Sequence, residues 1–441
     1  MMGNQIVVSL AIFLLVIAGF ISRKFPMAFV SMTGFILMVV FGILDSETAL
    51  GYFAKDTWII ISSLCIISAA FSKTTYVNKM AVWLAKKCNG SIVKIMICYI
   101  LVELILSQFI SSTIARFSME YPLLIASCQE IKVNRSRVIY PLAVVTMCDS
   151  GILPTTAAVS MAIRISPLLE AYGMPEWADF SIMQYCISRI VIAAIIIPIA
   201  IFILPKIMPD RYEENFDQAA DADANALLGK NAELSPLQEK VVAIDFLIVC
   251  LGFAFNKQIN AIFPLPLWVI AILGALLVVA FGILKDKELF NNMGMRVILL
   301  ALGATGLGAG LASSGAADLI GDLLIQVFGT HPNGFVVCWV FFMISAILSN
   351  LITNPPVVWA FIPIAIIACK AFGAQPLGIV FMLISSTQCG FMMPTASVVA
   401  STMFPVGGYE LGDILKRGIP LLLVTSIIYT LIIMLIFPFY A

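Results

Sequence analysis

Four short polar clusters interrupt an otherwise apolar chain, and their residue types suit ion binding. Two of them read Ser107-Gln-Phe-Ile-Ser-Ser-Thr113 and Ser349-Asn-Leu-Ile-Thr-Asn-Pro-Pro356. The other two read Cys148-Asp-Ser-Gly-Ile-Leu-Pro-Thr-Thr156 and Gln388-Cys-Gly-Phe-Met-Met-Pro-Thr-Ala-Ser397. Hydroxyl, amide and unwound carbonyl oxygens suit a hard cation such as sodium. A half-helix N-terminus offers free N–H groups and partial positive charge to an anion. Ser111, Ser112 and Thr113 open one such half-helix; Thr353 and Asn354 open another, with Pro355 and Pro356 in its first turn. Thr155 and Thr156 follow one Gly/Pro interruption, Thr395 and Ser397 the other. Any one cluster reads equally well as ordinary capping and intrahelical back-bonding. Four clusters forming two matched pairs argue against that reading.

Ionisable residues in lipid are costly and mark function by default. Glu103, Arg116 and Glu120 flank the first cluster and Asp149 lies in its neighbour, while the second pair of clusters has none. Arg116 and Glu120, four residues apart, are placed to pair with each other on one helix. Alternatively Arg116, one turn beyond the tip, holds a substrate carboxylate or replaces a coupling cation, with Asp149 as partner.

The elements that must position these groups follow from composition. The chain has 441 residues, 61% hydrophobic and 11% charged, against about 25% charged in a soluble domain. Its solvent is therefore the lipid bilayer. Zero formal net charge argues against nucleic acid as a partner. A single histidine, His331, and the absence of an HExxH pattern argue against a His-based metal site and against an enzyme. The ten cysteines lie mostly in apolar runs and read as small buried hydrophobes. The first run, 6–21, lacks a basic leader and a cleavage site and reads as a retained span.

Candidate spans are 5–21, 27–44, 57–73, 138–165, 182–205, 241–256, 264–284, 296–313, 376–404 and 414–438. The runs 92–131 and 334–372 have polar centres. Each arm, about 15 residues or roughly 22 Å, falls short of a core of about 30 Å. Two re-entrant hairpins are expected there, and broken helices at 138–165 and 376–404. The halves match: Val40-Phe-Gly-Ile-Leu44 recurs as Ala280-Phe-Gly-Ile-Leu284, Ser107 and Ser111 pair with Ser349 and Thr353, and Gly151 pairs with Gly390. The expected fold is an all-α polytopic membrane protein of two inverted repeats, with about 10 transmembrane helices plus the two hairpins. The first repeat covers 1–205, a cytoplasmic linker 206–240, and the second repeat 241–441. Nineteen of the 25 Lys and Arg fall on one face and four, Arg164 among them, on the other, leaving Arg116 and Arg189 inside spans. This puts the linker in the cytoplasm and both termini outside a cell membrane.

These residues resemble the divalent anion/sodium symporter family of the ion transporter superfamily. Leu106-Ser107-Gln-Phe-Ile-Ser111-Ser112-Thr113 and Leu348-Ser349-Asn-Leu-Ile-Thr353-Asn354-Pro355 look like that family's LSxxxSNT tip pattern. Pro122 and Pro363 follow downstream, as in the family. Phe391-Met-Met-Pro394, Asp413 to Pro420 and the glycines Gly306 to Gly315 are also similar to its landmarks. The resemblance covers essentially the whole chain apart from the family's extra first span. Pro355 lacks the expected hydroxyl, the TPPN stretch after each break is absent, and Arg116 stands where the family has a small residue.

The resemblance implies sodium-coupled uptake of a small di- or tricarboxylate or sulfate-like anion by an elevator motion within a homodimer. Substrate contacts fall on Ser111, Ser112, Thr113, Arg116, Thr156, Thr353, Asn354 and Thr395. Sodium contacts fall on Ser107, Ser111, Ser112, Asp149, Gly151, Asn350, Asn354, Gly390, Thr395 and Ser397. No other cofactor is implied. The alternative is a cation/proton antiporter or oxyanion exporter of the same superfamily, with Asp149 or Glu103 carrying the proton.

Overall fold

A computed structural model describes residues 2–22, 24–75, 91–110, 112–130, 133–210, 234–255, 259, 264–351 and 354–440. Among these residues the regular structure is helical, with no strand. Among the described residues six helices are long and apolar enough to cross a membrane: Ser46–Phe71, Ile92–Phe109, Ile182–Ile207, Gly334–Leu351, Asn354–Phe372 and Leu411–Ile436. A bent pair makes up to seven, and five shorter apolar helices accompany them.

The chain opens with α1 (Met2–Ser22), α2 (Met27–Val40), α3 (Ser46–Phe53) and α4 (Thr57–Ser72). After the linker come α10 (Pro236–Ala254), α11 (Leu267–Ala280), α12 (Asp286–Asn291) and α13 (Met295–Ser314). The recurring Phe-Gly-Ile-Leu motif does the same work in each half. It ends α2 and α11 with Gly42 (φ 66°) and Gly282 (φ 61°) in the left-handed region. The next N–H then bonds back into the helix, Ile43 to the Met38 carbonyl at 2.9 Å and Ile283 to that of Val278 at 3.1 Å.

Glycines on one stripe of α13 let α2 approach closely. A Cβ at Gly303, Gly306 or Gly310 would collide with Ser31, Phe35 or Met38, respectively, and Ser31 donates to the Leu300 carbonyl at 2.8 Å. Lipid tails compete with apolar side chains for contact, so small residues set helix association. The expected span 296–313 does not stand alone. Gly315 (φ 78°) ends α13, and α14 (Ala316–Phe328) leaves at 81°. Its Leu319, Leu323 and Val327 face outward.

Both polar-centred runs fold back. α5 (Ile92–Phe109) and α6 (Thr113–Glu130) meet through Tyr99 and Ser127, whose hydroxyls are 2.9 Å apart although 28 residues separate them. α15 (Gly334–Leu351) runs parallel to α17 (Pro376–Gln388), with Ser345 Oγ 2.5 Å from Ser386 Oγ and Asn350 Nδ2 donating to the Cys389 carbonyl at 3.1 Å. α16 (Asn354–Phe372) joins α17 through a short turn and packs antiparallel to it, hence antiparallel to α15. The arms have 18, 18, 18 and 19 residues, longer than the sequence suggested, because the helices run on to the last residue before each tip.

The two broken helices are α7 (Ile139–Cys148) with α8 (Thr156–Ala171), and α17 with α18 (Val398–Gly407). α9 (Ile182–Pro198), continuing through a π-turn to Ile207, and α19 (Leu411–Ile436) pack beside them. The expected linker is shorter at both ends. Helix persists to Ile207, and a Ser235 capping box starts α10 at Pro236; residues 211–233 lie outside the described ones. Eight described cysteines are free, but Cys98 is disulfide-bonded, which corrects the reading of every cysteine as a plain apolar residue.

Candidate ion and substrate site

Each hairpin tip rests against one helix break. At the second tip the side chains are neutral. Ser349 Oγ lies 2.7 Å from Asn354 Oδ1 and against the Thr387 carbonyl at the end of α17. Asn350 fastens tip to break. Its Nδ2 donates to the Ala346 and Cys389 carbonyls, its Oδ1 accepts from Met392 N at 2.8 Å, and its carbonyl accepts from Thr395 Oγ1 at 3.0 Å. Gly390 permits the approach, since a Cβ there would fall 2.9 Å from Asn354 Oδ1 and 3.0 Å from Ser349 Oγ. Ser349 Oγ, Asn354 Oδ1 and the Thr387 carbonyl thus converge as uncharged oxygens. Ser397 is used differently: its hydroxyl caps α18, accepting from Ala400 N at 3.0 Å. Thr353 lies outside the described residues, as does Ser111; the side chain of Thr156 does too.

At the first tip a cation is built in. Arg116 is fully buried. Its Nε donates to Glu103 Oε1 at 2.6 Å, Nη1 to the Ile110 carbonyl at 2.8 Å, and Nη2 to the Thr146 carbonyl and Asp149 Oδ1 at 2.9 and 3.0 Å. Thr146 is the counterpart of Thr387 in the other half. The guanidinium therefore takes the kind of carbonyl that a neutral hydroxyl, that of Ser349, takes at the second tip. The pairing of Arg116 with Glu120 expected from their spacing is not formed. Among the described residues neither Glu120 oxygen has a hydrogen-bond partner, nor do Glu103 Oε2 and Asp149 Oδ2. Folding the hairpin brings Glu103 across from α5, and that contact prevails over the one along α6.

Ser107 donates to the Leu104 carbonyl at 3.0 Å and lies beside Gln108. Gln108, which the sequence reading passed over, is the counterpart of Asn350. Its Oε1 accepts from Leu153 N and Thr155 Oγ1, both at 3.3 Å. Its place directly after the first tip serine was the available signal. Ser112 is exposed and caps α6 through Ala115 N at 3.3 Å. Gly151 (φ 86°) turns the first break in the left-handed region.

Arg189 was missed as a site residue. It is fully buried on α9 and joins both breaks. Nε donates to the Ser150 carbonyl at 2.9 Å, Nη2 to that of Cys148 at 2.6 Å and to the Gln388 side chain, and Nη1 to Ser385 Oγ at 2.7 Å. Here two helix C-termini meet, with Cys148 Sγ 3.5 Å from the Gln388 carbonyl. Both ends carry partial negative charge, which the guanidinium offsets.

Above the tips lies a cavity of about 780 Å³. Thr113, Asn354 and Pro355 reach it from the hairpins, and Ser150, Thr387 and Gln388 from the breaks. Its described lining holds two charged side chains, Arg164 and Arg296, and no acid. Arg164 is thus inside α8 on the cavity wall.

A family model described as "Sodium:sulfate symporter transmembrane region" matches residues 1–439. The chain belongs to that family. Among its relatives, an uncharacterised transporter of Haemophilus influenzae is 23% identical over 89% of this chain and 84% of its own. The sodium-dependent dicarboxylate transporter SdcS of Staphylococcus saprophyticus is 20% identical over 97% of this chain and 86% of its own. Other matches are partial: the chain spans 28% of an uncharacterised Synechocystis transporter, at 27% identity over 39% of this chain. Among solved structures, the YdaH transporter of Alcanivorax borkumensis aligns with a TM-score of 0.58 at 13% identity, covering 90% of this chain and 91% of that one. At that identity the likeness shows the fold alone. The protein is an integral membrane transporter.

Proposed function

We propose that this transporter takes up a small carboxylate or sulfate-like anion, driven by sodium held at the tip of the second hairpin. The observation that carries the reading is the asymmetry between the tips: three converging neutral oxygens at one, a buried guanidinium at the other. Oxygens without a fixed charge suit sodium. Arg116 stands where a second coupling cation would otherwise balance Asp149. The two halves, up to Ile207 and from Pro236, act as inverted repeats about the linker between them, which lies in the cytoplasm with both termini outside. The hairpins and broken helices move as one body past the remaining helices, in a homodimer. The acid-free cavity is the anion's compartment.

The test is uptake of labelled succinate, citrate and sulfate into proteoliposomes under an imposed sodium gradient. Sodium dependence with a Hill coefficient of about 1 is expected; uptake of any of them that ignores sodium would overturn the coupling. Proton coupling is a second reading, favoured by Glu103, Glu120 and Asp149 outnumbering Arg116 in one buried cluster. Stimulation by a pH gradient with no response to sodium would select it.

A further inference from the structure

We propose that Arg164 is the residue that recognises the second negative group of the transported anion, so that the site selects a molecule with two separated charges. The inference rests on the anion reading above and specifies it.

Arg164 lines the central cavity from the middle of α8. Its Nε donates to the Ser160 carbonyl one turn back at 2.6 Å, and Nη2 reaches Ser160 Oγ at 3.4 Å. Nη1 has no partner among the described residues, and no carboxylate pairs with the group. An arginine has five N–H donors, so most of this fork is unspent. The side chain is held in place: the guanidinium carbon sits 5.7 Å from the Trp359 ring centroid, a cation–π contact. Trp359 in turn is 5% exposed on α16.

That position sets a distance. Trp359 is five residues beyond Asn354, the first residue of α16, or roughly 7.5 Å along the helix. An anion at the N-termini of α6 and α16 therefore leaves Arg164 about one and a half helical turns away. A compact tetrahedral oxyanion reaches one of the two places. A chain with a carboxylate at each end reaches both, and no acidic side chain on the cavity wall competes for the arginine. Ser160, which orients the fork through its carbonyl and hydroxyl, is a positioning residue.

The experiment measures binding of succinate, citrate, sulfate and butyrate to the purified full chain in sodium, for wild type, Arg164→Gln and Arg164→Lys, with unliganded melting temperature as the folding control. Wild type should bind succinate or citrate more tightly than butyrate, a monoanion of the same carbon count as succinate. Arg164→Gln should weaken the two-ended anion by roughly 10- to 100-fold, the loss of a charge-assisted bond, and leave butyrate nearly unchanged. Arg164→Lys should fall between, because an ammonium lacks the fork. General damage to the site would weaken both ligands equally. If wild type prefers the two-ended anion and both variants keep that preference, the role of Arg164 is overturned while the transport reading stands. If Arg164→Gln does not fold, retention of full preference by Arg164→Lys overturns it. Wild type binding none of the four anions, with or without sodium, would overturn the anion reading itself.

Discussion

A guanidinium at 0% exposure costs several kcal/mol to desolvate, and its neighbours must return that. Arg116 makes bonds to Glu103, Asp149 and two carbonyls at 3.0 Å or less. Removing it strands two carboxylates. Arg116→Ala should lower stability by roughly 3–5 kcal/mol, seen as a fall in melting temperature in choline buffer. If the arginine replaces a cation, sodium should restore more of that loss in the variant than it adds to wild type. Equal sodium shifts in both proteins would remove the stand-in role. The sequence made Arg116 visible as a buried charge but mispaired it. The i,i+4 rule sees along one helix, whereas the contact to Glu103 exists only after α5 and α6 fold together. Gly390 supports a second prediction at this scale. A methyl group there would press on Asn354 and Ser349, so Gly390→Ala should weaken sodium about 10-fold. Gly412→Ala, with open space around it, should not.

Helix ends and helix contacts were legible in unequal measure. Tips and breaks stood out because Ser, Thr, Asn, Gly and Pro are conspicuous in an apolar run, and the helices end within those clusters. Arm lengths were underestimated, since polar residues such as Ser107 and Asn350 remain helical up to the tip. The 81° turn into α14 was not foreseen: Gly315 announces itself only by its left-handed φ, and any of the neighbouring glycines of α13 was an equal candidate. Those other glycines serve close packing instead. Gly306 faces the fully buried Phe35 ring, so Gly306→Ala forces α2 and α13 apart and should cost roughly 1–3 kcal/mol. A melting temperature equal to wild type would refute the contact's importance. Gly306→Leu should prevent assembly altogether, read as loss of the monodisperse peak in size-exclusion chromatography.

Across the whole molecule, helices from both ends of the chain form the site: the breaks meet through Cys148 and Gln388, and Tyr409 OH donates to the Ser136 carbonyl at 2.6 Å. No local sequence signal reveals which side chains face each other across the seam between the two halves. The proposed motion needs the hairpins and breaks to slide past α1–α4 and α10–α14, so contacts between the two groups must be exchanged in each cycle. One such contact is an ion pair between Lys55, at the start of α4, and Glu170, near the end of α8. It is partly exposed to solvent, so as a surface pair it contributes little stability and is free to break. A carbodiimide can join the Lys55 amine to the Glu170 carboxylate directly, freezing the present arrangement. Under an elevator mechanism the joined protein should lose transport in proteoliposomes yet still bind anion in a thermal-shift assay, because the cavity is unaltered. Glu170→Gln, which cannot be joined, should keep transporting after the same treatment. Full transport by protein shown by mass spectrometry to carry the bond would mean that α8 and α4 do not separate, and the moving body would have to be drawn elsewhere.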